Sequence, residues 1–388
     1  MKVSLLTPDF SANSTARAYI FAKVLKRHYD VEIIGPKFGN AIWGPIRKEE
    51  SEITFKVFQG SSFPQFILET PKIVKAIKGD IIWINTPYFT SFGIGLLKKF
   101  LGRKPVILDM ADWEAGFHLS DKKNVTRRFR SLIGNTVRFF RKPNSYWSTL
   151  INERITRFAE ELTVSNSFLQ QKFGGTIIPH CRDTEAFNPE RFNKNSIRGK
   201  CDIDKNKKIV MFFGTPKPHK GVEDLVKAIS LIENQNVVLV IVGIDDKDYY
   251  SENLVKMGKE ILGNRFRVFG LQPFKKVPEF LAMADVTVVP QKRNVATIGQ
   301  LPAKVFDAMA MAKPIIATAV SDLPEILDGC GWIVEPENPK QLAQTIKYVL
   351  DNPEEAKEVG WKARQKCITN YSWDAMEMIL VDIFKKYE

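Results

Sequence analysis

Cysteine is scarce. The four residues Cys181, Cys201, Cys330 and Cys367 stand far apart in a chain of 388, with no CxxC or CxxH spacing. Neither a disulfide framework nor a structural zinc site is expected, and a reducing compartment is. Histidine is as sparse: His28, His118, His180 and His219 are scattered, so no metal centre is expected. No uncharged apolar run reaches the ~18–20 residues that cross a bilayer, and Asp9 interrupts the opening MKVSLLTPDF too early for a signal peptide. A cytoplasmic protein is the expectation. Disordered, collagen-like and low-complexity classes are excluded by 44% hydrophobic and 26% charged residues with 23 Gly and 21 Pro. Acidic residues are in deficit, 44 Asp+Glu against 57 Lys+Arg, which leaves a net charge of +13 and suits an anionic partner.

The positive charge is concentrated. Between Lys122 and Arg157 ten basic residues face one acid, Glu153, with Phe129, Phe139, Phe140, Tyr146 and Trp147 interleaved. Cations beside aromatics fit an anionic membrane interface. They also fit stacking on nucleic acid, or a solvated face over buried aromatics.

At about 100–200 residues per domain the length allows two domains, with room for a third. Short, almost wholly apolar runs alternate with helical periodicity: KVSLLT (2–7), VEIIGP (31–36), DIIWIN (80–85), PVILDM (105–110), ELTVSN (161–166) and TIIPH (176–180). The pattern predicts an α/β layer with a parallel sheet covered on both faces. A polar stretch at 186–207 reads as a linker. Beyond it the alternation restarts with KIVMFFG (208–214), VVLVIVG (237–243), FRVFG (266–270), VTVVP (286–290), PIIAT (314–318) and WIVEP (332–336). The expected domains are therefore 1–185, Rossmann-like, and 208–370, a second Rossmann-like layer. A final helix at 371–388 is expected to pack back on the first domain through Trp373, Met376, Ile379, Leu380 and Ile383.

In open parallel sheets ligands bind beyond the carboxyl ends of the strands. There, GTPKPHKG (214–221) places glycines at both ends of a loop and Lys217 and Lys220 just before a helix. It reads as a diphosphate cradle, although it is neither a Walker A sequence nor GxGxxG and a lysine-rich surface loop fits as well. In GQLPAKVFDAMAMAKPIIAT (299–318), Lys304 and Asp307 lie three apart near a helix start. A carboxylate there suits two adjacent ribose hydroxyls; an ordinary surface pair is the plainer alternative. In the first domain the loop before the first helix, with Asn13, Ser14 and Thr15, offers N–H groups for phosphate. The run Asp245–Asp248 reads as a solvated turn.

Taken in order, GTPKPHKGVEDLVKAI, VVLVIVG, FRVFGLQPFKKVPEFLAMADVTVVP, LPAKVFDAMAMAKPIIATAVSDLPEIL, GWIVEPENP and YSW resemble the carboxyl half of glycosyltransferase family 4. The first half is similar more loosely, through MKVSLLTPDF, DIIWINTP, ELTVSNSF and IPHCRDTEAFNP. The resemblance implies a GT-B fold, two Rossmann-like domains facing each other across a cleft. It also implies retaining transfer of a sugar from a nucleotide-sugar to a lipid-linked or glycan acceptor, with no metal or other cofactor. On the donor side it implies Gly214, Thr215, Lys217, Lys220, Gly243, Val268, Leu301, Lys304 and Asp307. Two departures stand out. The family's Arg after the first glycine is Thr215 here, leaving Lys217 to supply part of the charge, and the first of its paired acids is replaced by Gly299. The family's His after a central strand is also missing from LDMADWEAGFH, which leaves Asp109, Asp112, Glu114 and His118 as candidates on the acceptor side. Given this likeness, an anionic membrane at its inner face is expected as partner over nucleic acid. A GT-B-fold nucleotide-sugar epimerase and a non-catalytic nucleic-acid-binding protein are the competing classes.

Overall fold

The computed structural model describes residues 1–49, 53–120 and 145–388. These form two compact units: Met1–Pro179 with Gly299–Leu301 and Met376–Glu388, and His180–Ile298 with Pro302–Ala375.

Unit 1 is built on a seven-stranded parallel sheet: β1 (Lys2–Leu6), β2 (Asp30–Lys37), β3 (Thr54–Gln59), β4 (Ile81–Asn85), β5 (Val106–Met110), β6 (Glu161–Val164) and β7 (Thr176–Ile177), in the order β3-β2-β1-β4-β5-β6-β7. The central strands β4 and β5 are buried along their whole length, as their unbroken apolar sequences require. Strand β3, not anticipated from the sequence, lies at the edge, where TFKVFQ is only half covered. Its Lys56 reaches the buried Glu32 of β2 at 2.7 Å. The order reverses between β1 and β4, the place where doubly wound sheets open for ligands.

Unit 2 repeats the scheme with six parallel strands: β8 (Lys208–Phe213), β9 (Val237–Ile244), β10 (Phe266–Gly270), β11 (Val286–Val289), β12 (Ile315–Thr318) and β13 (Trp332–Val334), ordered β10-β9-β8-β11-β12-β13. Its reversal falls between β8 and β11. The acidic run read as a solvated turn does turn at Asp246 and Lys247, both exposed, with the Asp248 amide donating to the Asp245 carbonyl, and its last member then starts a helix. Asp248 caps Tyr249–Leu262 by accepting from Ser251, and its other oxygen pairs with Lys217.

The stretch 186–207, expected as a linker, is placed within unit 2. Asn193 caps a helix at Lys194–Lys200, and the guanidinium of the buried Arg198 donates to the carbonyls of Met283, Lys205 and Lys207 and to Asp285. The closing helix Trp373–Phe384 ends in unit 1, with Met376, Leu380, Ile383 and Phe384 buried. Phe384 stacks on Trp83 and Tyr29, and Glu377 pairs with Arg27 and His28.

Candidate functional site

In unit 2 the loop after β8 lies at the sheet's reversal, and its backbone is shaped by contact with neighbouring strand ends. Gly221 adopts a φ of +62°, and a Cβ on it would stand 2.0 Å from the carbonyl oxygen of Pro290, which follows β11. Only glycine fits there. It opens the helix Val222–Ser230, whose first amides face outward from the macrodipole's positive end. Gly243, at the end of β9, lies directly against Gly214. Lys220 donates from Nζ to the Thr215 carbonyl at 2.6 Å, folding the loop over itself.

The residue that completes this arrangement comes from elsewhere in the unit. Lys304, first in the helix Lys304–Ala310, lays its ammonium over the Phe212 ring at 4.4 Å and beside Gly214. It makes no hydrogen bond or ion pair among the described residues. Burial, followed by the neighbouring Lys220, holds its pKa well below the usual lysine range. Burial and the cations Lys220, Lys304 and Lys217 likewise push His219 down to about 3, so that imidazole is neutral at physiological pH. A desolvated ammonium lacking an acceptor, with a second ammonium beside it at a helix start, is an arrangement that an anion stabilises.

Four expected donor residues are placed otherwise. Lys217 is committed to Asp248 at 2.9 Å, so the charge missing at Thr215 is matched by Lys304. Asp307 is buried and accepts from Arg182, itself buried and also bonded to the carbonyls of Cys181 and Ala303. Its carboxylate is part of an internal ion pair rather than a surface pair with Lys304. Val268 packs against the unit 2 core from the outer strand β10. Leu301 is buried within unit 1.

In unit 1 the candidates at the carboxyl end of β5 separate. Asp109 is fully buried, held by Arg17 through two bonds of 2.7 and 2.8 Å and by Thr163 at 2.8 Å. Arg17 also donates to the Ile178 carbonyl at 2.7 Å. Asp109 thus fastens the first helix to the sheet and is not free for catalysis. Asp112 forms an isolated bridge with Gln300, and Trp113 donates to the Gly299 carbonyl at 2.9 Å. A side chain at 299 would strike the Trp113 Cβ, 2.5 Å away, which explains why the expected acid is absent. His118 packs edge-on to Tyr146.

The loop of Asn13, Ser14 and Thr15, expected to offer N–H groups to phosphate, is tied inward. Thr15 donates to the Asp9 carbonyl, and Asn85 donates to the Ser14 carbonyl at 2.7 Å. The backbone carbonyl of Asn13 accepts from Ala16.

The sequence singled out Glu114 without its surroundings. It accepts from Tyr88 and lies near Asp112 and Glu153; burial and then Asp112 push its carboxyl up to about 8. Glu153 in turn accepts from the Ala115 amide at 3.0 Å and from the Trp113 indole. A carboxyl raised from 4.5 to about 8 favours the fold below pH 4.5 and loses that contribution as pH rises through 8. Glu114→Gln is therefore expected to be near neutral at pH 4.5 and stabilising by roughly 1–3 kcal/mol at pH 8 and above. Thermal melts across this range check it, and an advantage that does not grow with pH would overturn it.

Among the described residues no group of His, Cys, Asp and Glu gathers that could hold a metal ion, and no helix is long and apolar enough to cross a membrane. Most of the basic stretch 122–157, namely 122–144, lies outside the described residues. Of the rest, Tyr146–Arg154 is helical.

Two doubly wound parallel sheets, each reversing at its centre, define the GT-B class of α/β folds, and solved structures of that kind superpose on the whole chain. Sucrose-phosphate synthase from Thermosynechococcus elongatus aligns with a TM-score of 0.75 and 17% identity, covering 100% of this chain and 98% of that one. Anabaena Alr3699/HepE, in complex with UDP and glucose, aligns at 0.77 and 18%, covering all of both chains. Residues 193–366, somewhat under half of the chain, match the model of the family described as glycosyl transferases group 1. Among curated relatives, alpha-maltose-1-phosphate synthase of Mycolicibacterium smegmatis is 27% identical over 222 residues, 54% of this chain and 56% of that protein. MMP alpha-(1->4)-mannosyltransferase of Mycolicibacterium hassiacum is 26% identical over 276 residues, 67% of this chain and 62% of the relative. The matched region thus spans a little over half the length of these relatives.

Proposed function

We propose that this protein is a glycosyltransferase that takes a sugar from a nucleoside-diphosphate sugar and passes it, with retention, to a lipid-linked or glycan acceptor. The observation that carries the reading is the pair Lys220 and Lys304 at the Gly214–Gly221 loop, with Lys304 lacking an acceptor. Breaking the sugar–phosphate bond leaves negative charge on the diphosphate and positive charge on the sugar. The leaving oxygens then need fixed cationic and N–H partners. The two ammonium groups and the start of the helix Val222–Ser230 meet that need without a metal. Retention rests on the family likeness. On the acceptor side, Asp112 is the remaining candidate at the end of β5, since Asp109 is consumed by Arg17.

Melting in the presence of UDP, GDP, ADP and the corresponding sugars tests the reading. A fitting nucleoside diphosphate at 100 times its Kd is expected to stabilise the protein by ~2.7 kcal/mol. No shift with any of them would remove the donor assignment.

A further inference from the structure

The helices Gln65–Ala76 and Ile94–Gly102 lie side by side on one face of the unit 1 sheet. Phe66, Ile73, Val74, Ile94 and Leu96 fill the core beneath them. Their outer surface is not polar, as the usual amphipathic pattern would have it. Leu68 is 75% exposed, Leu101 78% and Phe100 65%, with Ile67 and Leu97 also open to solvent. Phe158 extends this surface, packing edge-on against Phe100 at 6.3 Å. Between the helices runs an open groove of about 420 Å³, lined among others by Pro71, Lys75, Leu97, Lys98 and Leu101. Contiguous exposed apolar surface of this kind marks an interaction site.

The charges around it select the partner. Glu69 is taken up by Lys72 at 3.0 Å, and Glu160 by Lys99 at 2.6 Å. The side chains of Lys75, Lys98 and Arg103 make no ion pair or hydrogen bond among the described residues. The face is thus apolar at its centre and cationic at its edge. Interfaces with other proteins are depleted of lysine, and a second copy of this chain would set these cations against one another. Long aliphatic and aromatic side chains among flexible unpaired lysines instead match the boundary between acyl chains and anionic headgroups.

We propose that this face of unit 1 docks on an anionic lipid bilayer, with Leu68, Phe100 and Leu101 entering the headgroup boundary and Lys75, Lys98 and Arg103 meeting lipid phosphates. The inference is independent of the donor site in unit 2.

Flotation of the full chain with phosphatidylcholine vesicles, with and without phosphatidylglycerol, tests it. Binding is expected only to the anionic vesicles, and it should weaken with salt. Leu68→Ser with Leu101→Ser, and separately Lys75→Gln with Lys98→Gln and Arg103→Gln, should each lower partitioning about tenfold or more. Stabilisation by nucleoside diphosphates should be unchanged in both. Because the charge variant leaves the apolar surface intact, it remains a test should the leucine variant fold poorly. Equal flotation on neutral vesicles would overturn the proposal. So would unchanged partitioning in the variants, which would assign binding to the basic stretch 122–157, or a dimer by light scattering that the leucine variant dissociates.

Discussion

Lys304→Met is expected to raise the melting temperature of the ligand-free protein while weakening nucleoside-diphosphate binding by about 1.5–3 kcal/mol, the range for a hydrogen bond to a charged group. The two effects have one cause. The ammonium is withdrawn from water against Phe212, repelled by Lys220 and given no acceptor, so an apolar side chain of similar length relieves the empty fold. It also removes the cation that awaits the ligand. Lys220→Ala should weaken binding by a similar ~1.5–3 kcal/mol without stabilising the empty protein, because its ammonium is satisfied by Thr215. The sign of the pH dependence follows. With its folded pKa depressed, Lys304 costs stability below that pKa, and the cost disappears as pH rises toward 10.5. A bound diphosphate favours the charged form, so binding above the depressed pKa should take up a proton. Titration calorimetry in buffers of different ionisation enthalpy would detect it. Unchanged affinity in both variants would remove the site.

Asp307→Ala should destabilise unit 2 by about 3–5 kcal/mol, because it leaves the guanidinium of Arg182 buried without its carboxylate. Arg182→Ala should cost a comparable amount. The double variant should fall well short of the sum, as expected for two halves of one interaction. Denaturant unfolding measures all three. A carboxylate serving only the ribose makes the opposite prediction: weaker nucleoside binding with stability intact. That result would overturn the ion-pair account.

What could be read in the sequence follows the range of the interaction. Twelve of the thirteen strands among the described residues coincide with apolar runs, and the inner ones, buried on both faces, must be apolar throughout. β3 escaped because its own residues are half polar, and Lys56 in its middle answers a carboxylate on the neighbouring strand. The helix Tyr249–Leu262 was hidden by the acids before it, whose last member is its cap. The loop Gly214–Gly221 was legible because strand, glycine, lysine and helix start are adjacent in the chain. Lys304 was visible as a candidate, but its meeting with Gly214 depends on a helix 90 residues away. Asp109 and Asp307 carried the right chemistry for a site, and nothing local revealed that Arg17 and Arg182 had claimed them. A lone carboxylate at a strand end or helix start looks the same whether it faces a substrate or an arginine far away in sequence.

The buried guanidinium of Arg198 has a practical corollary for dissecting the chain. A fragment begun at Lys208, where the sheet of unit 2 starts, would strip Asp285 and the Met283 carbonyl of their partner. Beginning at residue 193, where the family match begins, is still too late: the Phe187 and Thr184 carbonyls that receive Arg364 would be gone. An autonomous carboxyl-terminal fragment has to start near His180, where the unit itself does. By the same reasoning, a protease should find 186–207 a poor place to cut, although its composition resembles that of an exposed tether.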